Sequence, residues 1–222
     1  MKLYHGSTHI IETPTFGAGN PHNDYGPGFY CTESLKMASE WAVGSGVDGY
    51  ANEYAIDMEG LSVVNLGCEE FCTLHWLSVL LANRTFDVRA PLALEAREYL
   101  LENFGVDLGG VDIVKGYRAD DSYFAFAQDF ITGVISYRQL QNAMKLGRLG
   151  RQVVVKSEEA FSRLEFKGAA IADSETWLPK RTKRDRKARS DYFDIERSRR
   201  KRGDLYITQI LDERMVFGDA RL

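Results

Sequence analysis

Two short segments near the start of the chain carry residues that could hold a flat, polar ligand. Residues 3–7 (LYHGS) form a β-prone run that ends in a histidine, a glycine and a hydroxyl group. Residues 24–32 (DYGPGFYCT) form a glycine-rich turn that leads into an aromatic residue. The imidazole of His5, the open backbone at Gly6 and the ring of Tyr30 supply hydrogen bonds and a stacking face. We therefore predict a ligand-binding site built from these two segments.

The type and order of these residues resemble the ADP-ribosyltransferase superfamily, in the branch whose signature is histidine, tyrosine and then glutamate or glutamine. In that branch the histidine of an H-G-[ST] motif orients the ribose of NAD, and the glycine backbone holds the nicotinamide carboxamide. The tyrosine of a G-x-G-[FIL]-Y motif stacks on the nicotinamide ring. The resemblance assigns these roles, with NAD as the substrate, to His5, Gly6, Ser7, Gly28 and Tyr30.

The third signature residue implied by the resemblance is Gln152, at the start of a predicted strand. A glutamine can hydrogen-bond the ribose hydroxyls but cannot act as a general base. This favours transfer of a single ADP-ribose, or hydrolysis of NAD, over protein chain elongation. Glu158 and Glu159 stand nearby as alternative acids. Tyr25 is either a second wall of the site or an anchor of its loop.

A closer resemblance within the same superfamily is to an uncharacterised bacterial family. It rests on residues 111–121, which read VDIVKGYRADD, and on residues 152–157, which read QVVVKS. The paired acids Asp120 and Asp121 have two interpretations of equal weight. They activate an acceptor or bind a basic partner, or they are acids at a helix start, where they interact favourably with the helix dipole.

Strands interleaved with helices predict a mixed α+β domain, and the resemblance implies the split β-sheet core of the ADP-ribosyltransferases. We expect an NAD-binding domain over residues 1–170 and a basic extension over 171–222. Residues 8–28 are rich in Pro, Gly, Asn and Asp and are predicted to be a loop. The predicted strands are 2–6, 50–56, 61–66, 111–115 and 152–156, with a strand-like run at 205–211 and a short helix and strand over 160–166; the predicted helices are 34–43, 69–83, 91–104, 121–132 and 136–146.

Basic residues are concentrated between Lys180 and Arg202. This segment has twelve Lys or Arg against four acids, a charge of +8 in a chain of −4, so the other residues carry −12. Such an asymmetry indicates an acidic body with a basic arm. The arm either contacts nucleic acid, with Tyr192, Phe193 and Tyr206 available for stacking, or it is a solvated helix or folds on the acidic body. An antitoxin or another acidic protein is an equally open partner.

The composition argues against several classes of protein. With 222 residues and 44% hydrophobic content, the chain can bury a real core. No apolar stretch approaches about 18 residues and the N-terminus lacks the form of a signal peptide, so we expect no membrane span and a cytoplasmic protein. Cys68 and Cys72 have only His75 nearby, which is too little for zinc, so we expect no metal and buried or idle thiols. The glycines at 17 and 19 lack the third glycine of a dinucleotide-binding loop.

These residues and the resemblance together lead us to expect a bacterial-type mono-ADP-ribosyltransferase. Its setting would be that of a toxin, in a toxin–antitoxin or phage-defence pair. One alternative is an NAD glycohydrolase that uses water as the acceptor. The other is a transferase fold without turnover that binds nucleic acid or protein through residues 180–202. His5 and Tyr30 favour an enzyme, whereas the absence of the signature glutamate mildly favours the binding module.

Overall fold

Seven strands form two sheets in the computed structural model, which describes residues 1–119, 121–146, 150–197 and 199–222. The first sheet is antiparallel and contains, in spatial order, β1 (Lys2–Ser7), β3 (Gly49–Ile56) and β7 (Leu164–Ala172). The second contains, in spatial order, β2 (Phe29–Cys31), β6 (Arg151–Val155), β5 (Ile113–Tyr117) and β4 (Val63–Asn65), and its β4–β5 pair is parallel. The predicted mixed α+β class is confirmed.

Eight α-helices accompany these sheets in the described part of the chain. They are α1 (Leu35–Ala42), α2 (Thr73–Asn83), α3 (Pro91–Asn103), α4 (Asp121–Ile131), α5 (Tyr137–Ala143), α6 (Glu158–Ser162), α7 (Ser174–Ser190) and α8 (Ile207–Asp212). Local sequence explains several of their starts. The hydroxyls of Ser34, Ser136 and Ser157 accept hydrogen bonds from the first turns of α1, α5 and α6. Across the described ranges, none of the helices has the length and apolar character needed to span a bilayer.

The two sheets meet at an isolated antiparallel bridge between Tyr4 and Thr32. The Tyr4 N–H donates to the Thr32 carbonyl at 2.8 Å, and the Thr32 N–H donates to the Tyr4 carbonyl at 2.9 Å. This bridge joins β1 of the first sheet to the end of β2 in the second sheet. His5 and Tyr30 therefore lie beside each other at the junction of the sheets, although 25 residues separate them in sequence.

The strand β6 is buried on both faces and separates two hydrophobic clusters. Val153 and Val155 pack into the smaller cluster with Leu3 and Cys31. Val154 faces the larger cluster, which is built from side chains of α2, α3, α4, α5 and α8. Because side chains alternate along a strand, Gln152 lies on the same face as Val154, at the edge of the larger core.

The loop predicted for residues 8–28 is confirmed, and side chains of β3 hold its first part in place. Asn52 is fully buried. Its Oδ1 accepts from the Ile11 N–H at 3.0 Å, and its Nδ2 donates to the His9 carbonyl at 3.1 Å. The Tyr54 hydroxyl donates to the Ile11 carbonyl. The loop is therefore tied to the first sheet by hydrogen bonds from buried side chains.

The prediction of a strand-like run at residues 205–211 is wrong, because residues 207–212 form α8. Its apolar side chains Ile207, Ile210 and Leu211 have helical spacing and are buried in the larger core. The Gln209 side chain also accepts a hydrogen bond from the Tyr206 N–H at 3.0 Å, which caps the helix. Burial of a helical stripe outweighs the β-propensity of this segment.

The segment that follows β7 belongs to the body of the fold. The helix α7 continues into a π-helical segment at Asp191–Glu196. Ala188 and Tyr192 are buried, and Tyr192 packs in the larger core with its hydroxyl 2.6 Å from Asp129 Oδ2. The basic residues 180–197 therefore form a helix whose inner face packs on the rest of the chain.

Candidate active site

The junction of the two sheets forms a cleft with two chambers. The first chamber has a volume of about 220 Å³ and is mostly polar. Its lining comprises His5, Gly6, Asn23, Asp24, Tyr30, Trp41, Arg84, Arg118, Ala119 and Gln152. The second chamber has a volume of about 360 Å³ and lies between the 11–19 part of the loop, Gly28, Phe29 and Phe161. His5, Asn23 and Tyr30 border both chambers, so the two form one continuous candidate site.

His5 is fixed in one orientation and one tautomer. Its Nδ1 lies 2.7 Å from the Tyr30 carbonyl oxygen. Because a carbonyl can only accept, Nδ1 carries the proton and Nε2 is the acceptor. Burial lowers the pKa of His5, partly opposed by this hydrogen bond, so the ring is neutral at physiological pH. The ring also stacks on Phe29 with centroids 4.3 Å apart. His5 therefore presents an unprotonated nitrogen for a ligand donor.

Tyr30 presents its ring to the cleft while its hydroxyl is occupied elsewhere. The hydroxyl donates to the Gly26 carbonyl at 2.7 Å and accepts from the Tyr25 N–H at 2.9 Å. Burial raises the pKa of this phenol. Since both hydrogen bonds go to the turn before β2, the ring is clamped in place. Tyr30 can supply a rigid aromatic face but not an acid or a base.

Gln152 and Asp24 form a buried polar pair at the floor of the first chamber. Both side chains are about nine-tenths buried or more. Gln152 Nε2 donates to Asp24 Oδ2 at 3.4 Å, and the Ala119 N–H donates to the same oxygen at 2.9 Å. Arg84 Nη1 lies 3.4 Å from Asp24 Oδ1 as an ion-pair contact. Through these contacts the pair links four parts of the chain: the loop that carries Asp24, the strand β6, and the residues that follow α2 and β5.

Three buried polar atoms of this chamber lack a hydrogen-bond partner among the described residues. They are Asp24 Oδ1, Gln152 Oε1 and the Trp41 Nε1–H. Buried polar groups are nearly always hydrogen-bonded, and exceptions cluster at functional sites. Two acceptors and one donor therefore belong to side chains that line the same chamber and have polar atoms without a described partner.

Burial raises the pKa of Asp24 from 3.8 to about 6. The hydrogen bond from Ala119 and the charges of Arg84 and Arg118 act in the opposite direction but do not cancel the effect of burial. The carboxylate is therefore ionised at neutral pH but holds its proton more tightly than an exposed aspartate. A carboxyl group with this pKa in a cleft has the properties of a catalytic acid or base.

The turn before β2 is fixed by contacts that the sequence motifs do not reveal. Lys156 Nζ donates to the Tyr25 carbonyl at 2.6 Å and to the Pro27 carbonyl at 3.1 Å. Gly28 packs so closely on β6 that a Cβ would lie 2.6 Å from Val154 Cγ1. The lysine of the QVVVKS segment therefore holds the turn that carries Asp24 and positions Tyr30.

Packing also explains the glycine at the end of β1. A Cβ at Gly6 would lie 2.2 Å from the Ala38 carbonyl oxygen and 2.8 Å from the Ala42 nitrogen. Only a glycine at this position lets α1 pack directly on β1. The close approach brings Trp41 of α1 to the wall of the first chamber, where the Arg118 guanidinium lies 4.4 Å from its ring centroid.

The structure brings together five of the residues predicted for the site. His5, Gly6, Tyr30 and Gln152 line the first chamber, and Gly28 lines the second. The remaining predicted residues whose side chains are described line neither chamber.

Ser7 and Tyr25 line neither chamber. The Ser7 hydroxyl accepts from the His9 N–H at 3.2 Å, within the loop. Tyr25 is 1% exposed, donates to the Tyr117 carbonyl at 2.5 Å and accepts from Trp76 Nε1 at 3.1 Å. Of its two interpretations, the structure supports the loop anchor.

Of the other predicted acids, Glu158 and Glu159 have side chains in the described part of the structure, and neither lines the cleft. Asp120 lies outside the described residues, and Asp121 is the first residue of α4. Glu158 and Glu159 lie in the first turn of α6, and Glu159 pairs with Arg163 at 2.8 Å.

Sequence reasoning missed several residues that line the first chamber. Asp24 stands inside the motif that marked Tyr30, and its acid type next to a glycine-rich turn was the available signal. Asn23 and Trp41 also lie near motif residues. Arg84 follows α2 and Arg118 lies after β5 within the 111–121 segment, and the tertiary fold brings both side chains to the cleft.

The three cysteines are free, and none of them lines either chamber. Cys31 is buried, whereas Cys68 and Cys72 are half-buried. His75 Nδ1 accepts from the Cys72 N–H at 3.0 Å, so this histidine caps α2. Within the described ranges, no cluster of three or more His, Cys, Asp or Glu side chains could hold a metal ion.

Comparison with known proteins places the chain in a family that has no assigned activity. Searches of curated proteins and of solved structures gave no significant match. One family model, described as "Protein of unknown function (DUF3990)", matches residues 1–166. The match contains β1 through β6, and with them both sequence segments and the strand of Gln152. Because it spans well over half of the chain, the protein belongs to the DUF3990 family.

Proposed function

We propose that this protein is an NAD-dependent mono-ADP-ribosyltransferase. It would cleave the bond between nicotinamide and ribose and transfer one ADP-ribose to a macromolecular acceptor. The observation that carries the proposal is the convergence of His5, Tyr30 and Gln152. They come from β1, β2 and β6 and line a single chamber with unpartnered buried polar atoms.

Each of these residues has a role that its environment allows. The Nε2 of His5 accepts a hydrogen bond from a ribose hydroxyl, because Nδ1 is committed to the Tyr30 carbonyl. The clamped ring of Tyr30 stacks on the nicotinamide, and the backbone at Gly6 binds its carboxamide. Gln152 Oε1 accepts from a second ribose hydroxyl and orients the sugar.

The chemistry asks for orientation and charge stabilisation more than for covalent catalysis. Departure of nicotinamide leaves positive charge on the ribose, and a negatively charged or dipolar group near it stabilises that charge. The first chamber supplies a carboxylate and an amide oxygen at its floor. Since glutamine replaces the signature glutamate, transfer of a single unit fits the site better than elongation of a chain.

An NAD glycohydrolase is the nearest alternative, because the same cleft would cleave NAD with water as the acceptor. The outer face of α7 favours a macromolecular acceptor instead. It exposes the basic side chains Lys180, Lys183, Arg186 and Arg189, and the exposed Phe193 follows them. Such a surface is complementary to a polyanion such as RNA or single-stranded DNA.

Nicotinamide release from NAD by the purified protein tests the proposal. We expect wild type to release nicotinamide and His5→Ala and Tyr30→Ala to release it at least 100-fold more slowly, because each removes a group that positions the substrate. His22→Ala is the matched control, since His22 is exposed and lines neither chamber.

The same reactions with labelled NAD separate the acceptors. Label on RNA, single-stranded DNA or a lysate protein would identify a transferase and its target class, and free ADP-ribose alone would identify a glycohydrolase. A folded wild-type protein that neither binds nor cleaves NAD would contradict the proposal and leave a binding module that acts through residues 180–202.

A further inference from the structure

We propose that Asp24 is the general base of this site and that the acceptor group is a hydroxyl. The hydroxyl belongs to a sugar, to a serine or threonine, or to water as the smallest case. This inference rests on the proposed function and deepens it, because it names the chemical class of the acceptor and a catalytic residue outside the resemblance.

The position of Asp24 fits this role. Its side chain is 6% exposed, yet it lines the first chamber beside Gln152. Oδ2 is held by the Ala119 N–H and the Gln152 amide, whereas Oδ1 has no hydrogen-bond partner among the described residues. The hydrogen bonds to Oδ2 thus fix the carboxylate, and Oδ1, which has an ion-pair contact with Arg84 Nη1 at 3.4 Å, is the oxygen that we assign to accept a proton.

The charged groups around Asp24 favour its ionised form, and the contact of Arg84 with Oδ1 is an ion pair at 3.4 Å without a hydrogen bond. Arg84 reaches it from the end of α2, and Arg118 acts on it from the residues after β5. Gln152 of β6 contributes a neutral amide, and His5 of β1 and Tyr30 of β2 complete the titratable groups described in the chamber. The carboxylate therefore has two cations near it, from the ends of α2 and β5. The groups that reach it from β1, β2 and β6 are neutral.

The other groups that line the chamber are poorer bases. An amide such as Gln152 has no basic nitrogen. Burial lowers the pKa of His5, so a proton accepted there would leave a buried cation. The Tyr30 hydroxyl is a committed donor to Gly26. Among the described lining residues, Asp24 is the single carboxylate.

The proposed step balances without a further reactant. The acceptor O–H transfers its proton to Asp24 Oδ1, and the acceptor oxygen forms a bond to C1′ of the ribose. The C1′–N bond breaks, and its electron pair neutralises the pyridinium nitrogen, so nicotinamide leaves uncharged. The proton then passes from Asp24 to solvent.

The chemical class of the acceptor follows from the base. A hydroxyl must lose its proton as it attacks, so a carboxylate beside the reacting carbon accelerates the step. A carboxylate acceptor is already ionised at neutral pH and has no need of a base. An acidic acceptor would also be repelled by the negative charge of Asp24.

The test compares Asp24→Asn with wild type in NAD binding by calorimetry and in nicotinamide release between pH 4.5 and 8.5. We expect Asp24→Asn to bind NAD within threefold of wild type and to release nicotinamide at least 100-fold more slowly. Wild-type release should rise with pH through about 6, where Asp24 loses its proton, and this limb should be absent in the variant. Asp212→Asn on the exposed face of α8 is the matched control.

Chemical rescue separates a base from a merely structural carboxylate. We expect added formate to raise the rate of nicotinamide release by Asp24→Gly at least tenfold. Formate can occupy the vacated space and accept the proton. The label on the acceptor should also resist neutral hydroxylamine, as expected for a bond to a hydroxyl oxygen and not for an ester of a carboxylate.

Two results would overturn the inference while leaving the proposed function intact. In the first, Asp24→Asn keeps wild-type release and the same pH profile. In the second, the transferred label is removed by hydroxylamine. A wild-type protein that neither binds nor cleaves NAD would instead overturn the proposed function and, with it, this inference.

Discussion

At Asp24 the fold maintains a buried carboxylate at the expense of its own stability. Its pKa is raised from 3.8 to about 6, so the folded state holds the proton more tightly than the unfolded chain. The unfavourable contribution is therefore absent below about pH 4, grows as the pH rises and is complete above about pH 6. Under the proposed function, this carboxylate would exchange stability for activity, which is a common compromise in enzymes.

We predict that Asp24→Asn stabilises the protein by about 1–3 kcal/mol at pH 8 and has little effect at pH 4. The amide keeps the shape of the side chain and removes the buried charge. Urea unfolding at the two pH values measures the difference. A variant less stable than wild type at pH 8 would mean that the contact with Arg84 outweighs the penalty of burial.

Short contiguous motifs made part of the site predictable from sequence. His5, Gly6, Gly28 and Tyr30 stand within two segments, and Gln152 opens a β-branched strand. Tyr25 shows the limit, because a tyrosine in a turn can face a ligand or the core, and its hydrogen bonds to Tyr117 and Trp76 depend on distant elements. Residues that are neighbours only in the fold leave no local pattern.

Among the elements, β2 begins directly after a glycine that its packing on β6 requires. It has three residues, and its pairing with β6 positions Tyr30 opposite Val154. Gly28, just before this strand, would place a Cβ 2.6 Å from Val154 Cγ1 and 2.9 Å from the Val155 carbonyl. Contacts this short force the strand or the neighbouring side chains to move.

We predict that Gly28→Ala lowers the free energy of unfolding by about 1–3 kcal/mol, since it overpacks the junction of β2 and β6. Under the proposed function, Gly28→Ala should also reduce nicotinamide release, because the Tyr30 ring would shift with the strand. Chemical denaturation and the NAD assay check both effects. Gly44→Ala is the control, because its Cβ would meet its nearest neighbour at 3.9 Å. Equal stability of the two variants would contradict this account.

Elements in which apolar residues recur at a regular helical or strand spacing were predictable from sequence. Elements whose structure is decided by packing against distant residues were not. Ser34, with apolar residues after it at helical spacing, marked α1 correctly. The residues of α8 are β-prone by type, and burial against the larger core makes them helical. The nine-residue β7 was predicted only in part, because its Gly168, Ala169 and Ala170 have low β-propensity and its pairing with β3 decides the structure.

Over the whole molecule, the basic segment has two sides with different roles. Its inner side reaches the body through Arg184, whose Nη2 lies 2.5 Å from Oε1 of the buried Glu40. Its outer side exposes the cations that the proposal assigns to a polyanion. The net charge of +8 revealed the segment, but the division between its sides follows from the helical period of α7.

We predict that Arg184→Ala destabilises the protein by about 3–5 kcal/mol, because it leaves the Glu40 carboxylate buried without its partner. The double variant Arg184→Met and Glu40→Met should recover most of the loss, since it removes both charges and keeps apolar volume. Thermal and urea unfolding of the single and double variants measure this. Arg186→Ala, on the exposed side of α7, is the control. A loss under about 1 kcal/mol for Arg184→Ala would contradict the prediction.

The three tryptophans report on three separate regions of the molecule. Trp41 lines the first chamber beneath the Arg118 guanidinium, Trp76 is 1% exposed in the larger core, and Trp177 lies at the start of α7 with Lys180 Nζ 4.1 Å from its ring centroid. The three indoles differ in burial and in their charged neighbours, so we expect their emission wavelengths to differ. We expect variants that keep one tryptophan each to report separately on the cleft, the larger core and the start of α7 by intrinsic fluorescence, without an added dye.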